Sequence, residues 1–197
     1  MASRQDTIVR KTVGSAAWTI FTSVGSRAVG AIGTIVLTYF IDPDIAGELE
    51  AAYVLVFSAH AFTAFGINNY IAAKPKAGTD MVWHATVMHL LAGVVPIIAT
   101  IPIAVYLGPL IKAPNMALYV PGFVIAVLFE RLHLLPERVL MREIRFRPVG
   151  IARSIGEFAY TFLSVGLAMF WTKLGGSSQT VGLAVVYGNI AQYGLMF

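Results

Sequence analysis

Apolar residues in this chain do not alternate with polar ones. They gather into six unbroken runs, at 14–41, about 46–67, 83–107, 116–135, 149–171 and 181–197. A helix needs roughly 20 apolar residues to cross the hydrocarbon core of a bilayer; the last run, with 17, sits at the lower limit. Continuous runs lack the period of barrel strands. The pattern therefore predicts an all-α membrane protein, a bundle of six transmembrane helices. Asp42-Pro43-Asp44 separates the first two runs, Arg147-Pro148 precedes the fifth, and Gly175-Gly176-Ser177-Ser178 precedes the sixth. Pro96 and Pro102 lie inside the third run and Pro121 inside the fourth. In a membrane such prolines are tolerated and read as kinks, with a hinge as the sharper alternative.

Composition agrees: 57% of the 197 residues are hydrophobic and 12% charged, about half the charged fraction of a soluble domain. The net charge of +4 is too small, and too confined to loops, to point to nucleic acid. Without cysteine there is no disulfide framework and no thiolate metal site. No A-x-A cleavage pattern follows the first run, so it reads as a retained span behind a cytoplasmic N-terminal segment, 1–13. Ten basic residues (Arg4, Arg10, Lys11, Lys74, Lys76, Arg131, Arg138, Arg142, Arg145, Arg147) fall on the N-terminal side of the membrane, against Lys112 and Lys173 on the other. That bias places the N-terminus inside. In 136–147, PERVLMREIRFR, Arg138, Arg142 and Arg145 share a helix face. The segment reads either as a solvated, topology-setting loop or as a strip against anionic headgroups.

Arg27, near the middle of the first run, is the charge that most needs an explanation. A guanidinium at that depth costs ~2.5–3.5 kcal/mol on insertion scales, so it is expected to face protein or water. Gly25, Ala28, Gly30 and Gly33 around it would admit close helix neighbours. Glu157 and, four residues earlier, Arg153 share a face of the fifth run. An Arg27–Glu157–Arg153 cluster would leave one positive charge over, suited to bidentate capture of phosphate. Glu157 reads as an orienting partner, with a proton carrier as the alternative. His60, His89, Asn68, Asn69, Tyr70, Asn189 and Gln192 read as helix–helix hydrogen-bonding residues, although Asn68 and Asn69, ending the second run, are also placed to border a cavity. His84 and His89, five apart, lie on different faces and make no metal pair. Asp42, Asp44, Glu48 and Glu50 read as a solvated turn and helix start. No P-loop, H-E-x-x-H or G-x-S-x-G pattern occurs. Hence no catalytic residue, metal ligand or cofactor is expected, and an enzyme is disfavoured.

Three stretches carry a resemblance. LTYFIDPDIAGEL (37–49) resembles the end of the first helix and the following Pro-x-x-x-Gly turn of polysaccharide and oligosaccharide flippases in the multidrug/oligosaccharidyl-lipid/polysaccharide exporter superfamily. The run 64–76, with Gly66 and then lysines, fits the same pattern. LLPERVLMREIRFRP (134–148) is similar to the family's basic segment between helices four and five. The resemblance implies one lobe, the N-terminal half, of a transporter built from two pseudo-symmetric six-helix bundles around a central cavity. The missing lobe would be supplied by chain beyond Phe197 or by a second copy, and the apolar ending favours the former.

What the resemblance implies for function is export of a polyprenyl-diphosphate-linked oligosaccharide across the bacterial inner membrane by alternating access. The product would be lipopolysaccharide or exopolysaccharide. Arg27 and Arg153 would hold the diphosphate, and Glu157, Asn68 and Asn69 would line the path. The rivals are a cation-coupled multidrug exporter of the same superfamily, which would want an acidic cavity, and a membrane-embedded glycosyl- or acyltransferase or assembly subunit, which would want clustered acids or histidines at one membrane face. The absence of cysteine makes the orientation directly testable. A Ser177→Cys variant is expected to react with a membrane-impermeant maleimide in intact cells, and a Ser3→Cys variant only after permeabilisation; the reverse pattern would overturn the orientation.

Overall fold

A computed structural model of the chain describes the backbone of residues 2–63, 66, 78–143 and 145–196, and side chains within that set except those of 2–17, 19, 23 and 79. All regular structure among the described residues is helical: α1 (Ala2–Leu37), α2 (Pro43–Phe62), α3 (Thr79–Leu110), α4 (Met116–Arg142), α5 (Phe146–Lys173) and α6 (Ser178–Gly194). α3, α4 and α5 overrun the apolar stretches 83–107, 116–135 and 149–171 because helical hydrogen bonding does not require apolar side chains, whereas α1 starts well before its stretch and ends at Leu37. By length and composition α1 to α4 can each cross a membrane. Four charged residues dilute α5, and α6 has only 17 residues.

Helix starts follow local chemistry. Pro43 occupies the first turn of α2, where its missing N–H costs nothing. Ser177 caps α6 by accepting from the Thr180 N–H at 3.3 Å. Asn115 at the start of α4 is held by Glu48, whose Oε1 accepts from both the Asn115 N–H and its side-chain amide at 3.1 Å. Glu48 is therefore not a solvated residue of an acidic turn, as the sequence suggests. It is buried, with its charge at the positive end of α4. Ser178 donates to Asp42 at 2.6 Å, so the starts of α2, α4 and α6 lie at one end of the bundle and the α4–α5 connection at the other. The segment 136–147 is not a separate basic stretch: α4 continues through Pro136 to Arg142 and α5 begins at Phe146.

α4 is the hub, packing on α2, α3, α5 and α6, whereas α1 packs on α5 alone among the described residues. The apolar core lies between α2, α3, α4 and α6, around Val56, Ile97, Tyr119, Val120 and Phe123. Close backbone approach replaces apolar burial elsewhere. A Cβ on Gly33 would fall 2.5 Å from Thr161 Cγ2 at the α1–α5 contact, and one on Gly188 would fall 2.1 Å from Ser164 Oγ at α5–α6. Of the small residues around Arg27, Gly30 and Gly33 meet α5, while Gly25 has nothing within 4 Å.

Arg131 departs furthest from the sequence reading. Counted there among the loop cations, it is wholly buried on α4. Nη1 and Nη2 donate to Thr63 Oγ1 at 3.1 and 2.8 Å, and Nη2 also donates to the Thr63 carbonyl at 3.1 Å. A cation at the carbonyl end of α2 is favoured by the helix dipole. It makes no ion pair among the described residues. His60 and His89, edge-to-face with ring centroids 6.3 Å apart, lie close enough to feel its charge. The guanidinium fits because α3 has a glycine there: a Cβ on Gly93 would come 1.4 Å from Nη1. Gly93→Ala must displace a buried charge and is expected to lower stability by ~1–3 kcal/mol, the usual cost of overpacking. Gly47→Ala, on α2 with nothing within 4 Å, is expected to gain up to ~1 kcal/mol of helix propensity. Thermal unfolding in detergent compares the two, and equal midpoints would refute the packing assignment.

Candidate functional site

At the α4–α5 end of the bundle lies a cavity of about 260 Å³ whose lining includes Ser26 and Arg27 from α1, Glu130, His133 and Glu137 from α4, Arg153 and Glu157 from α5, and Gln192 and Tyr193 from α6. Further along, a cavity of about 160 Å³ is lined by Glu50 and Tyr53 of α2, Tyr160 of α5 and Asn189 of α6, among others. The two are linked: the Tyr53 and Tyr193 hydroxyls share a hydrogen bond, and Tyr160 lies within the electrostatic reach of both Glu157 and Glu50.

Within the larger cavity, Arg153 Nη2 donates to Glu137 Oε1 at 2.5 Å, and His133 Nε2 lies 3.9 Å from Glu137 Oε2. The His133 and Tyr193 rings stack at 6.2 Å. Glu157 is hydrogen-bonded to Gln192 and lies against α1, where a Cβ on Gly30 would sit 3.2 Å from its Oε2. Arg27 is exposed toward the cavity, close enough to act on Glu157 electrostatically. It forms no ion pair among the described residues. Glu130 Oε2 is buried with no hydrogen-bond partner among the described residues.

Arg27, Arg153 and Glu157 thus share one cavity wall, but not as the expected three-membered cluster. Arg153 reaches across to α4 and pairs with Glu137 instead of with Glu157 on its own helix. The charge balance changes accordingly. Two guanidiniums share the cavity with three acidic side chains (Glu130, Glu137, Glu157), so the lining does not carry the expected surplus of positive charge. Asn68 and Asn69, with Tyr70, lie outside the described residues. Gln192 and Asn189 line the two cavities, while His60 and His89 belong to the Arg131 cluster instead. Among the described residues no group of three or more metal-ligating side chains comes together.

The sequence reading missed Glu130, His133 and Glu137. Their spacing of i, i+3, i+7 puts them on one face of α4, a signal obscured by ending that helix near residue 135. Tyr53, Tyr160 and Tyr193 gave no signal, since tyrosines in apolar runs are ordinary.

Chemically, the larger cavity offers planar donor forks from α1 and α5 on one space, with carboxylates, an imidazole and a phenol between them. Such forks bind phosphate or carboxylate groups bidentately. No curated protein and no solved structure matches the chain. Residues 36–194 match the family model described as polysaccharide biosynthesis protein. Because that match spans five of the six helices and the end of the first, the chain belongs to the polysaccharide biosynthesis protein family.

Proposed function

We propose that the chain is the N-terminal lobe of a flippase that moves a polyprenyl-diphosphate-linked oligosaccharide across the bacterial inner membrane. The carrying observation is the convergence of Arg27 and Arg153, from α1 and α5, on one cavity at the α4–α5 end of the bundle. With the N-terminus cytoplasmic, that end faces the side on which such a substrate is made. Arg27 is the open donor fork. Arg153 is the second, exchanging Glu137 for a phosphate oxygen as the substrate enters. Glu157, held by Gln192, keeps the empty site from carrying an unbalanced pair of cations. Transport then proceeds by rocking of this bundle against a second lobe. Family membership favours polysaccharide export over chemistry on the sugar, and the site is read as a binding site without catalytic residues.

One observation favours a second reading. Three carboxylates against two guanidiniums suit a cation-coupled multidrug exporter better than the sequence alone suggested. Drug-resistance profiling of a deletion strain separates the two, since a polysaccharide exporter loses surface polysaccharide and leaves drug sensitivity unchanged.

Arg27→Ala is expected to reduce surface polysaccharide about tenfold or more, because hydrogen bonds to charged groups are worth ~1.5–3 kcal/mol each. The lipid-linked intermediate should accumulate while the protein remains in the membrane. Arg27→Lys is expected to restore only part, since an ammonium cannot bind bidentately. Undiminished export by Arg27→Ala, measured as surface polysaccharide against membrane-inserted protein, would defeat the site assignment.

A further inference from the structure

A second space lies directly behind the Glu137–Arg153 ion pair. It is a crevice of about 280 Å³ between the last turns of α4 and the first turns of α5, and its walls include Pro136, Leu140, Pro148 and Ala152. Glu137 and Arg153 line both this crevice and the polar cavity around Arg27, so the ion pair forms part of the boundary between them. The contrast across that boundary is sharp. One side holds Arg27, Glu130, Glu157 and Gln192; the other is walled mainly by aliphatic and proline side chains. α4 and α5 touch sparingly although only residues 143–145 join them, which leaves the crevice open between consecutive helices.

We propose that this crevice receives the first isoprene units of the substrate's polyprenyl tail, while the diphosphate occupies the polar cavity beside Arg153. The proposal rests on the flippase reading given above. A polyprenyl diphosphate joins a multiply charged group to a hydrocarbon chain through a single ester oxygen. A protein that holds the charged group at Arg153 must therefore accommodate hydrocarbon within a few bonds of that guanidinium. Of the two spaces that share Arg153, one is polar and the other apolar, which matches the two ends of that linkage in charge and in polarity. The half-exposed Arg153 and the largely buried Glu137 stand where the ester would pass. Exchange of Glu137 for phosphate on Arg153 opens the boundary as the substrate seats. Apolar burial of the tail and charge pairing of the head then act on one ligand from opposite sides of a single ion pair.

The test uses the full chain in nanodiscs and farnesyl diphosphate carrying a diazirine in the isoprene unit next to the diphosphate. Photolabel is expected on the peptide spanning residues 136–152, displaced by excess farnesyl diphosphate and not by farnesol or phospholipid. Ala152→Trp, which fills the crevice, is expected to cut that labelling about tenfold; Leu140→Trp fills it from the opposite wall and serves as the second variant should the first not fold. Label that lands elsewhere, persists in both tryptophan variants or is displaced equally by phospholipid would overturn the assignment. Binding of farnesyl [32P]diphosphate separates this from the function itself. Saturable binding lost in Arg27→Ala but accompanied by label outside the crevice removes the tail site and leaves the diphosphate reading standing, whereas no saturable binding to the unmodified chain removes both.

Discussion

A charge carried into a hydrocarbon environment has to find compensation inside the protein, and this bundle is arranged around two ways of doing so. Arg131 is compensated dry: Thr63 supplies a hydroxyl and a carbonyl, the carbonyl end of α2 supplies a favourable dipole, and Gly93 supplies the room. Arg27 and Arg153 are compensated around an open space by carboxylates on α4 and α5. Both arrangements depend on α4, which carries Arg131 as well as Glu130, His133 and Glu137. This helix packs on four of the other five, because every buried charge requires it to be held in register.

Packing elsewhere follows from the same setting. Lipid tails are as apolar as leucine, so helix association in a membrane gains little from hiding hydrocarbon and relies on close van der Waals fit. Close contacts here are accordingly built on glycine: Gly33 against Thr161, Gly188 against Ser164, and Gly156 against the Gln192 carbonyl, where a Cβ would lie 2.8 Å away. These join α1, α5 and α6 into one unit. α4 and α5 lack such a seam. The last turns of α4 instead carry proline, arginine and glutamate, and the gap that results is where the ion pair and the crevice sit.

Much of the fold was legible because hydropathy in a membrane protein is nearly a direct record of which segments are helical. Six runs became six helices, and Pro43 and Ser177 marked helix starts as their backbone chemistry requires. Arg27, Arg153 and Glu157 were legible as residues with a reason to face one another's vicinity, and they do share a cavity. What could not be read was pairing across helices. Arg131 looks like any basic residue near a helix end, and its burial depends on Gly93 and Thr63, 38 and 68 residues away in the chain. Glu48 looks like part of a solvated acidic turn until the start of α4 is placed beside it. Glu137 looked like one side chain of a basic segment, and so Arg153 was assigned the nearer carboxylate in sequence in place of the nearer one in space.

On the proposed flippase reading, the acidic side chains beside Arg27 and Arg153 bear on how transport would work. A cavity lined by bare guanidiniums would bind a diphosphate strongly and release it slowly, whereas transport requires binding favourable enough to admit the ligand and weak enough to let it go. A carboxylate already seated on Arg153, as Glu137 is, would change the balance, because binding of the proposed substrate would become an exchange of one anionic partner for another. Only the difference between the two sets of charge-assisted hydrogen bonds appears as affinity. On that reading, Glu137 would return to Arg153 when the substrate leaves, so that no unpaired buried charge would be stranded. Acidic residues in a site for an anionic ligand are thus consistent with the proposed turnover, and Arg27, which forms no ion pair among the described residues, leaves one donor fork open for first contact.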